Sequence, residues 1–272
     1  MLNSKTIRLF WWSETQLMGK SKENYGDLIG KYLVEKISKK KVIWVHPKYW
    51  NFKDCFQPIY VTVGSVLAHV NKKCIVWGSG IIYKDQNVRR AKYLAVRGPQ
   101  TRLSLLRQGY EVPEIFGDPA LLLPNYYYPV KNKIYSVGIV PHYTDYNEVY
   151  DLYKNSASIL VINLMTNDVE ATTDSLLQCE RIISSSLHGL IVSHAYGIPA
   201  IWIEFSEKLF GDGIKFQDYF ESVGIESYKP RKFSNCLTNA DINKCFSDFV
   251  SLPNAEILEN CKQGLISVCP FL

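Results

Sequence analysis

The sequence predicts an α/β protein made of two sheet-and-helix halves facing a cleft, and three observations carry that expectation. Short apolar runs alternate with helical stretches along the whole 272-residue chain, the pattern of βα units around a parallel sheet. Near the middle, Leu123-Pro124-Asn125-Tyr126-Tyr127-Tyr128-Pro129 has two prolines and no periodicity, as an interdomain link would. Beyond it the alternation restarts.

Taken in order, residues 7–12 read as a first strand, and Asn24-Tyr25-Gly26-Asp27 leads into a helix over 28–38 with apolar positions at helical spacing. Residues 41–45 and 60–64 read as further strands. The strand 74–77 runs straight into Gly78-Ser79-Gly80, a familiar ligand loop. Residues 92–96 precede Arg97-Gly98-Pro99, after which 100–108 reads as a helix stopped by Gly109. In the second half, strands are expected over 135–140, 158–163, 181–185 and 199–203, with a helix over 190–196 capped by Gly197. The chain past Asp241 reads as mostly helical. The expected division is therefore 1–127, 128–240 and a helical tail over 241–272.

With 47% hydrophobic residues the chain can bury a real core. Thirty-one Lys and Arg against 26 acidic residues give a net charge of +5, which suits small anions and is too mild for nucleic acid. No run approaches the roughly 18 apolar residues of a membrane span, and the N-terminus lacks a signal-peptide layout, so a cytosolic protein is expected. Seven cysteines without a Cys-x-x-Cys pair point to reduced thiols and to no metal site.

The strongest local signal is Arg181-Ile182-Ile183-Ser184-Ser185-Ser186-Leu187-His188-Gly189, a buried strand breaking into a polar turn that opens a helix. Free backbone N–H groups and the helix dipole make such a start an anion site. Ser186 either caps the helix or donates to a ligand, and His188 can act as donor, acid or base. Asn24, Gly26 and Asp27 hold the equivalent place in the first half; they either cap a helix or hold a substrate's polar groups. Gly78-Ser79-Gly80 falls short of a dinucleotide fingerprint because Tyr83 replaces the third glycine. Arg97 would project a planar fork suited to a carboxylate or phosphate. His142 follows a strand, Lys215 adds a cation on a glycine-rich loop, Asp118 reads as a turn former, and His194 reads as a packed helical residue. An anionic substrate between the halves is the economical reading.

In order and spacing these motifs resemble the polysaccharide pyruvyltransferase family. The resembling blocks are Asn24-Tyr25-Gly26-Asp27, Gly78-Ser79-Gly80, Val96-Arg97-Gly98-Pro99, Gly117-Asp118-Pro119-Ala120, Val140-Pro141-His142, and Ser184 to Gly189 followed by His194-Ala195-Tyr196-Gly197-Ile198-Pro199. The resemblance implies two Rossmann-like domains arranged as in the GT-B glycosyltransferases, the first on the acceptor side, with the C-terminal helix crossing back onto it. It implies transfer of the enolpyruvyl group of phosphoenolpyruvate to a hexose, galactose being one candidate, of a bacterial capsule or exopolysaccharide precursor. The product is a cyclic pyruvate ketal, with release of phosphate and no further cofactor. Arg97 and His188 match positions used near phosphoenolpyruvate, and Gly98 departs from the acidic residue often seen there. His188 is then the candidate for proton transfer, with His142 or Asp27 at the acceptor hydroxyl. The implied acceptor is lipid-linked, on undecaprenyl diphosphate. Lys36 to Lys41, Tyr49-Trp50 and Tyr126 to Tyr128 would touch the inner membrane face. A nucleotide-sugar glycosyltransferase is the alternative enzyme, and a silent partner of a polysaccharide assembly the alternative class.

Overall fold

The computed structural model describes residues 5–49, 52 and 56–272; Trp50 of the motifs above and one of the seven cysteines, Cys55, lie outside them. The first half runs β1 (Thr6–Phe10), α1 (Glu14–Met18), β2 (Glu23–Asn24), α2 (Tyr25–Ser38), β3 (Lys41–Trp44), β4 (Ile59–Val61), β5 (Cys74–Trp77), β6 (Lys92–Ala95) and α3 (Pro99–Arg107). A 3-10 stretch, Pro119–Asn125, leads to the second half: β7 (Tyr135–Val140), α4 (Tyr146–Tyr153), β8 (Ile159–Val161), β9 (Met165–Thr166), α5 (Val169–Leu177), β10 (Cys179–Ser184), α6 (Leu187–Ala195), β11 (Ala200–Glu204), α7 (Ile214–Ser222) and β12 (Arg231–Lys232). Helices α8 (Asn239–Asp248) and α9 (Ala255–Ser267) follow.

Two five-stranded parallel sheets result, ordered β3-β1-β4-β5-β6 and β8-β7-β10-β11-β12. The order is the same in both, so each sheet has its switch point beside its first strand, where the carboxyl ends open a ligand crevice in open α/β sheets. A short antiparallel pairing joins the halves, Glu23 opposite Thr166 and Asn24 opposite Met165. The sheets are compatible with two Rossmann-like domains.

The sequence-predicted strands are present within one to three residues at their ends, but two helices begin earlier than their apolar periodicity indicates. Helix α2 starts at Tyr25 because the Asn24 side chain accepts the Gly26 N–H at 3.0 Å and caps it there. Helix α6 starts at Leu187, which puts His188 in its first turn. The segment that reads as a link is anchored at its start: Leu123 is buried, after the buried Leu121 and Leu122, and Tyr126 packs half-buried against a core that joins Tyr25, Ile29 and Leu33 of α2 with Leu190 and Ile191 of α6 and Phe216 and Tyr219 of α7. The chain end lies on the first half, where the Trp77 indole N–H donates to the Leu265 carbonyl at 2.9 Å and Phe271 packs edge-on against Trp77 and Tyr60. No helix among the described residues is long and apolar enough to cross a membrane.

Candidate active site

Strand β10 delivers the chain to α6 with very little space around it. A Cβ on Gly189 would come 2.3 Å from the Ser184 hydroxyl oxygen and 2.9 Å from Val140, so glycine there lets the helix start sit directly on β10 and β7. Ser186 is the N-cap, but its side chain makes no capping bond. The first-turn amides are thus left to another acceptor, while the Ser186 N–H donates to the Ser184 hydroxyl at 3.0 Å. Leu187 points into the core.

His188 is wedged between the halves. Its ring abuts Gly26 of α2, where a Cβ would come 2.0 Å from Nδ1. Its Nε2 is 3.5 Å from Asp118 Oδ2, with the histidine side chain 11% exposed and the aspartate wholly buried. Neither atom has a hydrogen-bond partner. The other Asp118 oxygen accepts the Ala120 N–H at 2.9 Å, which fixes the carboxylate at the head of the 3-10 stretch. Asp118 is therefore more than a turn former: it sets a buried, oriented carboxylate behind the imidazole.

Around this pair stand the other candidate residues. Asp27, half-buried in the first turn of α2, has its carboxyl raised from 3.8 to about 7; burial is the main cause, His188 and Lys215 oppose it, and Glu14 and Glu23 add to it. Lys215, in the first turn of α7, is lowered to about 8, first by burial and then by Arg97, with Asp27 opposing. Its ammonium donates to the Phe210 carbonyl at 3.3 Å. His142 is lowered to about 4 by burial, then by Lys215 and Lys20, so its imidazole is neutral at physiological pH; its Nδ1 lies 2.8 Å from the Thr144 hydroxyl. Each of these groups feels another's charge, and they come from strand-end or helix-start positions in both halves.

Arg97 does not project as a free fork. It is fully buried, and its guanidinium donates from Nε to Asp218 at 3.0 Å, from one terminal nitrogen to the Ser65 hydroxyl at 2.6 Å and from the other to the Ile81 carbonyl at 2.7 Å. Asp218, also fully buried, further accepts the Thr101 N–H at 2.8 Å and the Thr101 hydroxyl at 2.7 Å. The acidic partner that the sequence lacks beside Arg97 thus arrives from α7 in the other half. A Cβ on Gly98 would meet the Asp218 carbonyl oxygen at 1.9 Å, which is why glycine stands there.

The Gly78-Ser79-Gly80 loop is filled by protein. The Ser79 hydroxyl donates to the Gly64 carbonyl at 2.7 Å, a Cβ on Gly78 would strike Pro119, and a Cβ on Gly80 would strike the Arg97 guanidinium at 2.4 Å. These glycines let Pro119 and Arg97 come close rather than cradling a phosphate directly. His194 packs in the core as expected, with Nδ1 2.9 Å from the Tyr219 hydroxyl.

The raised Asp27 carboxyl gives a stability signature. Its folded pKa of about 7 lies above the ordinary 3.8, so the folded state holds the proton more tightly, and ionisation weakens the fold as pH rises through that window. Asp27→Asn removes the penalty. Its melting temperature should exceed that of the parent at pH 8, with the gap narrowing toward pH 4; thermal melts across this range check it, and a pH-independent gap would refute it.

The profile of one family, Polysaccharide pyruvyl transferase, matches residues 24–207, a span that contains Asp27, Arg97, Asp118, His142 and His188. An uncharacterized protein, L143, of Acanthamoeba polyphaga mimivirus is 33% identical over 256 residues, covering 90% of this chain and 86% of that one. No solved structure matches. With the family profile covering most of the chain and a relative similar over nearly all of it, the protein belongs to the polysaccharide pyruvyl transferase family.

Proposed function

We propose that the protein moves the enolpyruvyl group of phosphoenolpyruvate onto a hexose of a polysaccharide precursor, closing a pyruvate ketal across two hydroxyls and releasing phosphate. The observation that carries this reading is His188, backed by Asp118 and flanked by Asp27 and Lys215, at the open start of α6. The donor carries two anionic groups, and Lys215 together with the α6 amides supplies positive potential for them. The buried Arg97 adds charge while positioning α3 against α7.

In the first step a proton passes from His188 to the methylene carbon, and an acceptor hydroxyl adds to the neighbouring carbon as its own proton goes to Asp27. A carboxylate poised near pH 7 suits that exchange. In the second step the carbon–oxygen bond to phosphate breaks, the second hydroxyl closes the ring, and its proton leaves with phosphate. Neutral His142 can hold an acceptor hydroxyl. No cofactor beyond the donor enters these steps. Galactose is a candidate acceptor and the division at residues 127 and 128 separates two GT-B-like domains; of the tail 241–272, expected to pack back on the first, α8 packs on the second sheet through Ile242 and Cys245, and Leu265 and Phe271 pack on the first.

A lipid-linked acceptor and a cytoplasmic enzyme touching the membrane peripherally are part of the proposal. Support comes from exposed cations at the strand starts, Lys39 to Lys41, Lys72 and Lys92, on the edge opposite the site. Lys36 pairs instead with Glu170. Release of phosphate from phosphoenolpyruvate only in the presence of a hexoside tests the reading, whereas turnover of a UDP- or CMP-sugar instead would favour glycosyl transfer.

A further inference from the structure

Next to the site, at the carboxyl end of β11 and beside the segment that leads into β12, lies a cavity of about 630 Å³ that shares Lys215 with it. The β11–α7 loop forms one wall and residues 227–230 another. That loop is pinned to the first half: the Lys84 N–H donates to Asp212 at 2.8 Å, and the rings of Tyr83 and Phe210 meet edge-on at 5.5 Å. The cavity therefore has a fixed shape.

Its lining chemistry is specific. Lys84, Lys215 and Lys229 are matched by Glu204, Glu207 and Asp212, so the walls carry donors and acceptors in near balance and no excess field for a polyanion. Trp202, stacked on Phe216 at 4.0 Å, lines the cavity; it is 6% exposed, and its indole N–H has no hydrogen-bond partner. A buried donor without a partner costs stability unless a ligand supplies the acceptor. Phe210, 61% exposed, offers a flat apolar face beside these polar groups.

We infer that this cavity is the acceptor subsite and takes a neutral, polyhydroxylated ring, a hexose unit whose hydroxyls bond to the Trp202 N–H and the Glu204 carboxylate while its apolar face rests on Phe210. The inference rests on the reading above only for the word acceptor; sugar binding by the cavity stands by itself. It places the acceptor on the second half, not on the first as the family resemblance suggests. The shared Lys215, whose charge is felt by Asp27, links the cavity to the site where a hydroxyl must arrive.

The test uses the full chain, fluorescently labelled, on an array of galactosides, glucosides, mannosides and N-acetylhexosaminides, with UDP as competitor and phosphoenolpyruvate-induced thermal stabilisation as a parallel readout. Binding of at least one hexoside class is expected. Trp202→Phe and the surface variant Phe210→Ala should each weaken it about tenfold, the effect of losing one good contact, with the phosphoenolpyruvate response retained. No hexoside bound, equal binding by Phe210→Ala, or displacement by UDP overturns the inference. Cavity-dependent hexoside binding without any phosphoenolpyruvate response would retain the subsite and sink the proposed chemistry; the opposite pattern would do the reverse.

Discussion

Phosphate release by His188→Ala should fall by roughly 100- to 10,000-fold, the range for losing a positioned acid, with the protein still folded. The ring contributes little to the core: it lies on a glycine, is 11% exposed, and its Nε2, 3.5 Å from Asp118 Oδ2, makes no hydrogen bond that would be lost. Asp118→Asn should lower activity less, because it removes the charge behind the imidazole and keeps the imidazole itself. A His188→Ala enzyme with near-normal turnover would remove His188 from the reaction, and an Asp118→Asn enzyme indistinguishable from the parent would remove the pair as a unit.

The second large effect is on stability. Asp218→Ala leaves the Arg97 guanidinium buried beside Ser65 and Ile81 with its charge uncompensated, and also strips Thr101 of both its bonds to the carboxylate. Breaking a buried ion pair by removing one partner costs about 3–5 kcal/mol, which for a chain of this size lowers the melting temperature by roughly 6–20 °C. The double variant Arg97→Met/Asp218→Ala should recover part of that loss, since no charge is then left stranded. A single variant melting within a degree of the parent would mean that the pair does not hold α3 to α7.

Much of the architecture was readable because a parallel sheet needs short apolar strands and amphipathic crossovers, and both leave a period in the sequence. The helix starts were harder. Asn24 caps α2 by one hydrogen bond, and Leu187 begins α6 inside an apolar run, so periodicity alone placed both starts late. In the site, Asp27, His142, His188 and Lys215 were legible because each follows a strand or opens a helix, and parallel topology brings such positions to one edge. The function of the glycine loop was not legible: what Gly78 and Gly80 make room for is Pro119 and Arg97, distant in sequence.

Asp118 and Asp218 were missed for the same physical reason. Asp118 faces a histidine from the other half, and Asp218 faces an arginine 121 residues away, so nothing local marks either pairing. A signal for Asp218 did exist: it lies four residues after Ile214 on the buried face of α7, where an unpaired carboxylate would be costly. An acidic residue on an apolar helical face asks for a buried cation, and Arg97 is that cation.

In the proposed reaction the face built by His188, Asp27 and Lys215 handles phosphoenolpyruvate. Incubating the unmodified protein with carbon-13-labelled phosphoenolpyruvate and a hexoside, and following the product by NMR, tests it most directly. A quaternary ketal carbon carrying a new methyl group, formed in step with one phosphate per sugar, is the expected result. Unchanged phosphoenolpyruvate beside glycosyl transfer from a nucleotide sugar would contradict it.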